Sequence, residues 1–188
     1  MWKANWSREM RNQETTEYVV LGVLMTGAMH GYEINRFMSE TLEGIWHIST
    51  SQLYALIHKL EEKAMVKGRI SSRENLLPKK VLTLTPEGKR KFLDWVMSPT
   101  LHVRDLRMEF LTKLFFIRDL KLQGGDRLVD AQMDLLKDLR EKVENAWSLE
   151  KDVYRKVVLG FKRSQIEVCV SWLNSDVVHF IEILGEQG

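Results

Sequence analysis

Ser49-Thr50-Ser51-Gln52-Leu53-Tyr54-Ala55-Leu56-Ile57-His58-Lys59-Leu60-Glu61-Glu62-Lys63-Ala64-Met65-Val66 is the stretch on which the fold turns. At about 100° per residue, Leu53, Leu56, Ile57 and Leu60 fall on one helical face, with Ser51, Ala55 and His58 opposite, flanked by Gln52, Tyr54 and Lys59. A solvated helix ordinarily shows Glu and Lys on its outer side, whereas this one shows a hydroxyl, a methyl, an imidazole and an amide. Short groups of that kind let a helix sit deep in a major groove and meet base edges there. Glu61 and Glu62 come only near the end, which fits entry by the N-terminal half with the acids kept away from phosphate. The same stripe also describes an ordinary core helix, so the neighbouring sequence has to decide.

Upstream, Val19, Val20, Val23 and Leu24 form a helical stripe that begins near Glu14 and stops at Thr26-Gly27, where glycine suits a helix C-terminus. A second helix opens at His30-Gly31-Tyr32-Glu33-Ile34 and places Ile34, Phe37, Met38 and Leu42 at helical spacing before Gly44. The quoted stretch is the third helix, entered through Ile45-Trp46-His47-Ile48 and capped by Ser49 or Thr50. Downstream, Met65 to Ser71 and Lys79 to Thr85 are β-prone runs joined by Ser72-Arg73-Glu74-Asn75-Leu76-Leu77-Pro78, which together predict a hairpin. Thr85-Pro86-Glu87 starts a fourth helix, with a capping threonine, proline at the first helical position and an acid in the first turn. Phe92, Trp95 and Val96 form its apolar side, and Ser98-Pro99 marks the boundary of the domain. Three helices, a hairpin and a fourth helix make a winged helix-turn-helix. Residues 1–13 have no strong period and fit either an N-terminal arm or a short docking helix.

Net charge is only +2 over 188 residues, but it is unevenly placed. Between Gly44 and Lys91 ten basic residues face four acidic ones, a local +6 that leaves the rest of the chain at −4. A basic patch on an acidic body is the electrostatic footprint of a nucleic-acid-binding module. Arg69, Arg73, Lys79 and Lys80 of the hairpin, with Lys59, would lie where backbone phosphates are held.

The remainder reads as helical. Leu106, Phe110, Leu111, Leu114, Phe115 and Ile117 give a helix apolar on more than one side, broken at Gly124-Gly125. From Asp126 to about Ser148, Leu128, Leu135, Leu139, Val143 and Ala146 form a narrow seam; from Asp152 to Leu184, a longer helix carries Val153, Val157, Phe161, Val168, Trp172, Phe180 and Leu184. A rod of roughly 45–50 Å outruns what one small domain can cover, so a second copy is expected to share its stripe. The expected dimer seam is Leu135, Leu139, Val143, Phe161, Val168, Trp172 and Phe180. The alternative is that these stripes close on each other within one chain.

At this point the chain resembles the PadR-type transcriptional regulators. His30-Gly31-Tyr32-Glu33-Ile34, Ser51-Gln52-Leu53-Tyr54-Ala55-Leu56-Ile57-His58-Lys59-Leu60-Glu61-Glu62 and Leu84-Thr85-Pro86-Glu87-Gly88 are similar to that family's successive signatures, in order and in spacing. Val170-Ser171-Trp172-Leu173 is similar to the C-terminal dimerisation region of its longer subfamily. The family often has Pro at the position of Ala55 and Gly at that of Ala64, and the second difference suggests an altered turn into the hairpin. The resemblance implies a homodimeric repressor on a pseudo-palindromic operator, a phosphate contact from Tyr32, and release by a small aromatic effector. Trp46, His102, Phe110 and Phe161 are the candidate lining for such an effector, although residues of this kind also serve as plain core.

Three regions are therefore expected: an arm over 1–13, a winged helix over 14–98 and an α-helical dimerisation domain over 99–188. DNA contacts are expected from Tyr32, Ser49, Thr50, Ser51, Gln52, Tyr54, His58, Lys59, Arg69, Arg73, Lys79 and Lys80. His30, His47, His58, His102 and His179 are scattered, there is no H-E-x-x-H or paired C-x-x-C, and no phosphate-binding loop is present. No cofactor, metal or catalytic set is thus expected, and double-stranded DNA and a second copy are the expected partners. Cys169, the single cysteine, is expected as a buried free thiol. The longest apolar run, Tyr18 to Met25, is too short for a bilayer and no signal pattern opens the chain, so a cytoplasmic protein is expected. A protein-binding winged helix and a small helical enzyme with a pocket in the dimer are the competing readings.

Overall fold

Val19, Val20, Leu21, Val23 and Leu24 are buried along α1 (Trp2–Met25), the helix on which the N-terminal unit is assembled. The computed structural model of the chain describes residues 2–42, 44–46, 48–71 and 79–186, with the side chains of 2–13, 71 and 79 left aside. Residues 2–13, open in the sequence between an arm and a helix, form the first half of α1. Next come β1 (Met29–His30), α2 (Gly31–Thr41), α3 (Thr50–Glu62), β2 (Val66–Ser71), β3 (Lys79–Leu84) and α4 (Pro86–Val96). Ile34 and Met38 of α2 and Leu53, Leu56, Ile57 and Leu60 of α3 are buried with Phe92, Trp95 and Val96 of α4. Tyr18 stacks on Trp95 at 5.3 Å, tying α1 to α4. Each large apolar side chain removed from water contributes about 1.5–3 kcal/mol before conformational entropy is set against it.

The strands form one antiparallel sheet in the order β1-β3-β2. β1 was not expected: Met29 and His30 pair with Leu82 and Val81, a contact fifty residues distant that no local pattern announces. Ala64, in the turn from α3 into β2, has φ of 54°. That is the left-handed region glycine occupies without strain, so the turn keeps the glycine-like conformation with an alanine in it rather than changing course.

Residues 97–188 form a second compact unit. A 3₁₀ turn (Val103–Asp105) and a π-helical turn (Leu106–Phe110) lead into α5 (Leu111–Asp119), followed by α6 (Gly125–Leu149). α7 (Val153–Trp172) is capped by Asp152, whose carboxylate accepts from the Arg155 amide at 2.8 Å, and runs through a second π-helical turn (Leu173–Val177) into α8 (Val178–Glu186). Leu128, Val129, Met133 and Leu136 of α6 meet Phe110, Phe116, Ile166, Leu173 and Val177 in the core. Cys169 is half-buried rather than buried, and burial pushes its thiol pKa up. By length and composition, Val153–Glu186 is long and apolar enough to cross a membrane; a count of uninterrupted apolar residues does not register it.

Lys113 is fully buried in this unit. Its ammonium donates to Glu109 Oε1 at 2.6 Å and to the Ser98 carbonyl at 2.9 Å, while Gln132 exchanges two hydrogen bonds with the Thr100 backbone. Burial pulls the Lys113 pKa below the usual lysine value, with Glu109 opposing. In the window between that lowered pKa and about 10.4, the unfolded chain binds more protons than the folded one, so this group makes stability rise with pH. Urea unfolding at about pH 8 and pH 10 should show the native protein gaining on Lys113→Met as pH increases.

Candidate nucleic-acid interface

Ser49 caps α3: its hydroxyl accepts from the Gln52 amide at 3.2 Å, and Gln52 Oε1 accepts from Ser49 N at 3.1 Å. This reciprocal box fixes the start of the helix and leaves the Gln52 side-chain NH₂ as its outward donor. Thr50 follows as the first helical residue. With Leu53, Leu56, Ile57 and Leu60 turned inward, Ser51, Gln52, Tyr54, Ala55 and His58 are all exposed, and Tyr54 keeps half of its surface. Of the six residues that the helical period places outside, five are exposed and Lys59 is half-buried. His58 lies 3.4 Å from Glu62, one turn on.

Tyr54 leans over the start of α2. A Cβ added at Gly31 would stand 2.8 Å from the Tyr54 ring, so glycine there is what lets the phenol lie across the helix end. Tyr32, also half-exposed, stacks on His30 at 5.7 Å. His30 itself is fixed twice, by Glu33 Oε2 accepting from its backbone N–H at 2.6 Å and by Nδ1 lying 2.9 Å from the Lys80 carbonyl. The His30 amide holds the Glu33 carboxyl below its ordinary pKa. His30, Tyr32, Tyr54 and Lys80, with His58 and Glu61, line a cleft of about 360 Å³ between α2, α3 and the hairpin.

The expected cations divide into different situations. Lys80 pairs with Ile70 across the hairpin and reaches Glu61 of α3 at 2.7 Å. A Cβ at Gly68 would overlap this ion pair, lying 2.0 Å from Lys80 Cε and 2.6 Å from Glu61 Oε1, so Gly68 makes room for the bridge between helix and wing. Arg69 pairs with Val81 and, by strand alternation, projects from the other face of the hairpin, apart from Lys80. Lys79 pairs with Ser71 at the start of β3, and Arg73 lies outside the described residues. Lys59, expected at the phosphate backbone, has a partner within the fold: its ammonium lies 2.7 Å from Glu17 of α1, where Lys63 also ends, at 2.6 Å.

Glu17 was missed, although the sequence carried a signal. Glu17, Val20, Leu21 and Leu24 share the i, i+3, i+4, i+7 spacing of an inward face, and a carboxylate on such a stripe needs a cation. The partners, some forty residues away, were not legible.

In the second unit, Leu135, Leu139, Val143, Trp172 and Phe180 are half-buried, and Phe161 and Val168 are exposed. Of the suggested effector lining, Trp46 is buried in the first unit's core and Phe110 in the second's, edge-on to Trp172 at 6.1 Å. His102 and Phe161 are exposed. A cleft of about 430 Å³ within the second unit is lined instead by Ile117, Arg118, Asp126, Ile181 and Leu184. Among the described residues, no group of three or more His, Cys, Asp or Glu is placed to hold a metal ion.

Against known proteins, the profile of the Transcriptional regulator PadR-like family matches residues 20–94, from α1 through α4. The Negative transcriptional regulator PadR of Bacillus subtilis (strain 168) is 30% identical over 142 residues, which are 76% of this chain and 74% of that protein. The crystal structure of Bacillus subtilis PadR in complex with operator DNA aligns at 26% identity and a TM-score of 0.45, covering 88% of this chain and 98% of that one. The same protein in complex with p-coumaric acid aligns at 24% identity and a TM-score of 0.42, covering 89% and 96%.

Proposed function

Because the chain belongs to the PadR-like family of transcriptional regulators, we propose that it is a homodimeric, DNA-binding repressor acting in the cytoplasm. The observation that carries this reading is the outer side of α3, where Ser51, Gln52, Tyr54 and His58 stand exposed on a helix locked from behind by Leu53, Leu56, Ile57 and Leu60. These four side chains offer donors, acceptors and a ring edge at the spacing of a groove-bound helix. Tyr32, Ser49 and Thr50, at the starts of α2 and α3, take phosphates, because helix N-termini and hydroxyls there favour anions. Lys80 and Arg69 flank them from the wing, and Lys79 and Arg73 are proposed as further phosphate contacts. Residues 14–98 are the DNA-binding domain and 99–188 the dimerisation domain, placing two α3 helices in half-sites about one helical turn, or a multiple of it, apart.

Fluorescence titration of a duplex from the chain's own upstream region, at two salt concentrations, tests this reading. A steep fall in affinity with salt is expected, and salt-independent or absent binding would favour a protein-binding winged helix. Replacing Lys79 and Lys80 together by glutamine should flatten the log–log salt dependence by roughly two, near 0.9 for each phosphate no longer neutralised.

A second copy is proposed to cover the apolar side of α7, and the protein should stay in the supernatant when spun with lipid vesicles. For release, we extend to this chain the small aromatic acid with which the Bacillus relative has been crystallised. With Trp46 and Phe110 packed in cores, an aromatic acid would have to favour an arrangement in which the lining rearranges. Loss of duplex binding on adding p-coumaric acid to this protein is the test.

A further inference from the structure

We infer that Glu17 is a positioning residue for DNA selection: an internal counter-anion that withholds Lys59 and Lys63 from the phosphate backbone and fixes the C-terminal end of α3 against α1. This rests on the DNA-binding reading above and adds a residue that does not itself touch DNA.

The geometry separates this acid from the other carboxylate in the region. Glu61 meets Lys80 at 2.7 Å, but their side chains are 22% and 51% exposed, so water and phosphate can both replace the bond. An exposed ion pair of that kind contributes little and exchanges readily. The Glu17 side chain is only 7% exposed, with Lys59 Nζ at 2.7 Å from Oε1 and Lys63 Nζ at 2.6 Å from Oε2. Lys63 donates to Oε2, while Lys59 faces Oε1 as an ion pair without hydrogen-bond geometry, so the charge of Lys59 is what compensates that buried oxygen. Drawing either lysine out to a phosphate leaves part of a buried negative charge uncompensated, a penalty that Glu61 does not incur. Lys59 lies in the last turn of α3 and Lys63 is its C-cap, so their attachment to one carboxylate of α1 also sets the roll of the helix that carries Tyr54 and His58. Two long cationic side chains beside a reading surface would otherwise bind any duplex, since phosphate contacts carry no sequence information.

The prediction runs against the usual consequence of losing an ion pair. Glu17→Gln keeps the size of the side chain but removes the charge and turns one acceptor oxygen into an NH₂ donor, so at most one lysine keeps an acceptor there. It should bind a duplex of mixed sequence more tightly, on the order of tenfold at low salt, with a salt slope steeper by about 0.9 for each lysine that reaches a phosphate. Discrimination between the upstream duplex and the mixed one should shrink. Glu17→Gln/Lys59→Gln should give back part of that gain. In the otherwise native protein, Lys59→Gln should leave the slope unchanged, a measurement that stands even where Glu17→Gln folds poorly. An unchanged or flatter slope in a folded Glu17→Gln protein, or a slope flatter by about 0.9 in Lys59→Gln, overturns the inference while leaving DNA binding intact. If the native protein shows no salt-dependent duplex binding, the DNA-binding reading fails first, and this inference with it.

Discussion

Gly88→Ala is expected to destabilise the winged-helix unit by about 3 kcal/mol, lowering its melting temperature by roughly 12–24 °C. Helix propensity alone argues the reverse, since alanine is better than glycine by about 1 kcal/mol inside a helix. The steric clash decides the sign. A Cβ at Gly88 would lie 2.2 Å from the Met65 carbonyl oxygen and 2.9 Å from Leu84 Cδ1, and the first neighbour is backbone that cannot rotate away. That carbonyl is already held by the Thr85 amide at 3.1 Å and the Thr85 hydroxyl at 3.0 Å, while the same hydroxyl bonds the Ala64 carbonyl and accepts from Gly88 N. To admit a methyl group, α4 must lift from the turn that joins α3 to the wing, which breaks a network reached from both sides. Circular dichroism melting of the substituted protein measures the effect, and a melting temperature equal to the native value would show that the turn gives way at no cost.

The same corner shows what the sequence made legible. Thr85-Pro86-Glu87 announces a helix start because capping, proline geometry and first-turn charge are local, and α4 begins at Pro86. The outer face of α3 was legible for the same reason: period and cap lie within one short stretch, and Ser51, Gln52, Tyr54 and His58 are exposed as the period requires. What escaped is non-local. β1 exists only because Met29 and His30 meet β3, and Lys59 turns to Glu17 rather than outward because the partner acid arrives from another helix. The helical extent of residues 2–13 escaped because no amphipathic stripe marks it. In the second unit, the π-helical turns at Leu106–Phe110 and Leu173–Val177 each shift the register of the faces after them. On α6, which contains no such turn, Leu128 faces inward with Val129, Gln132, Met133 and Leu136, while Leu135, Leu139 and Val143 stay half-buried. The acid on the α1 stripe was readable as an anomaly, but only the packed structure supplies its two cations.

Val157→Asp/Phe161→Asp is expected to convert the proposed dimer to a monomer of 22.1 kDa and to weaken operator binding by between about a hundredfold and ten-thousandfold. On α7, Val153, Val157 and Phe161 recur every fourth residue and remain 78%, 66% and 65% exposed, with Tyr154 beside them at 76%. Between Lys137 and Gln165 no residue is fully buried, so this helical hairpin presents an apolar side that its own chain does not cover. A soluble protein seldom leaves so continuous a patch to water, and a two-fold partner doubles every side chain it buries. At about 1.5–3 kcal/mol for a fully buried valine or phenylalanine, these two positions on both copies outweigh much of the entropy lost on association. Aspartates there add unpaired charges that the interface would have to desolvate. The fold of each chain should persist, because neither side chain belongs to its core, so melting of the winged helix separates dissociation from unfolding. Light scattering gives the mass, and a titration on the same duplex gives the affinity. If the mass halves while affinity holds, one winged helix suffices for binding and the two-half-site arrangement is wrong; if the mass does not change, the dimer is built on another face.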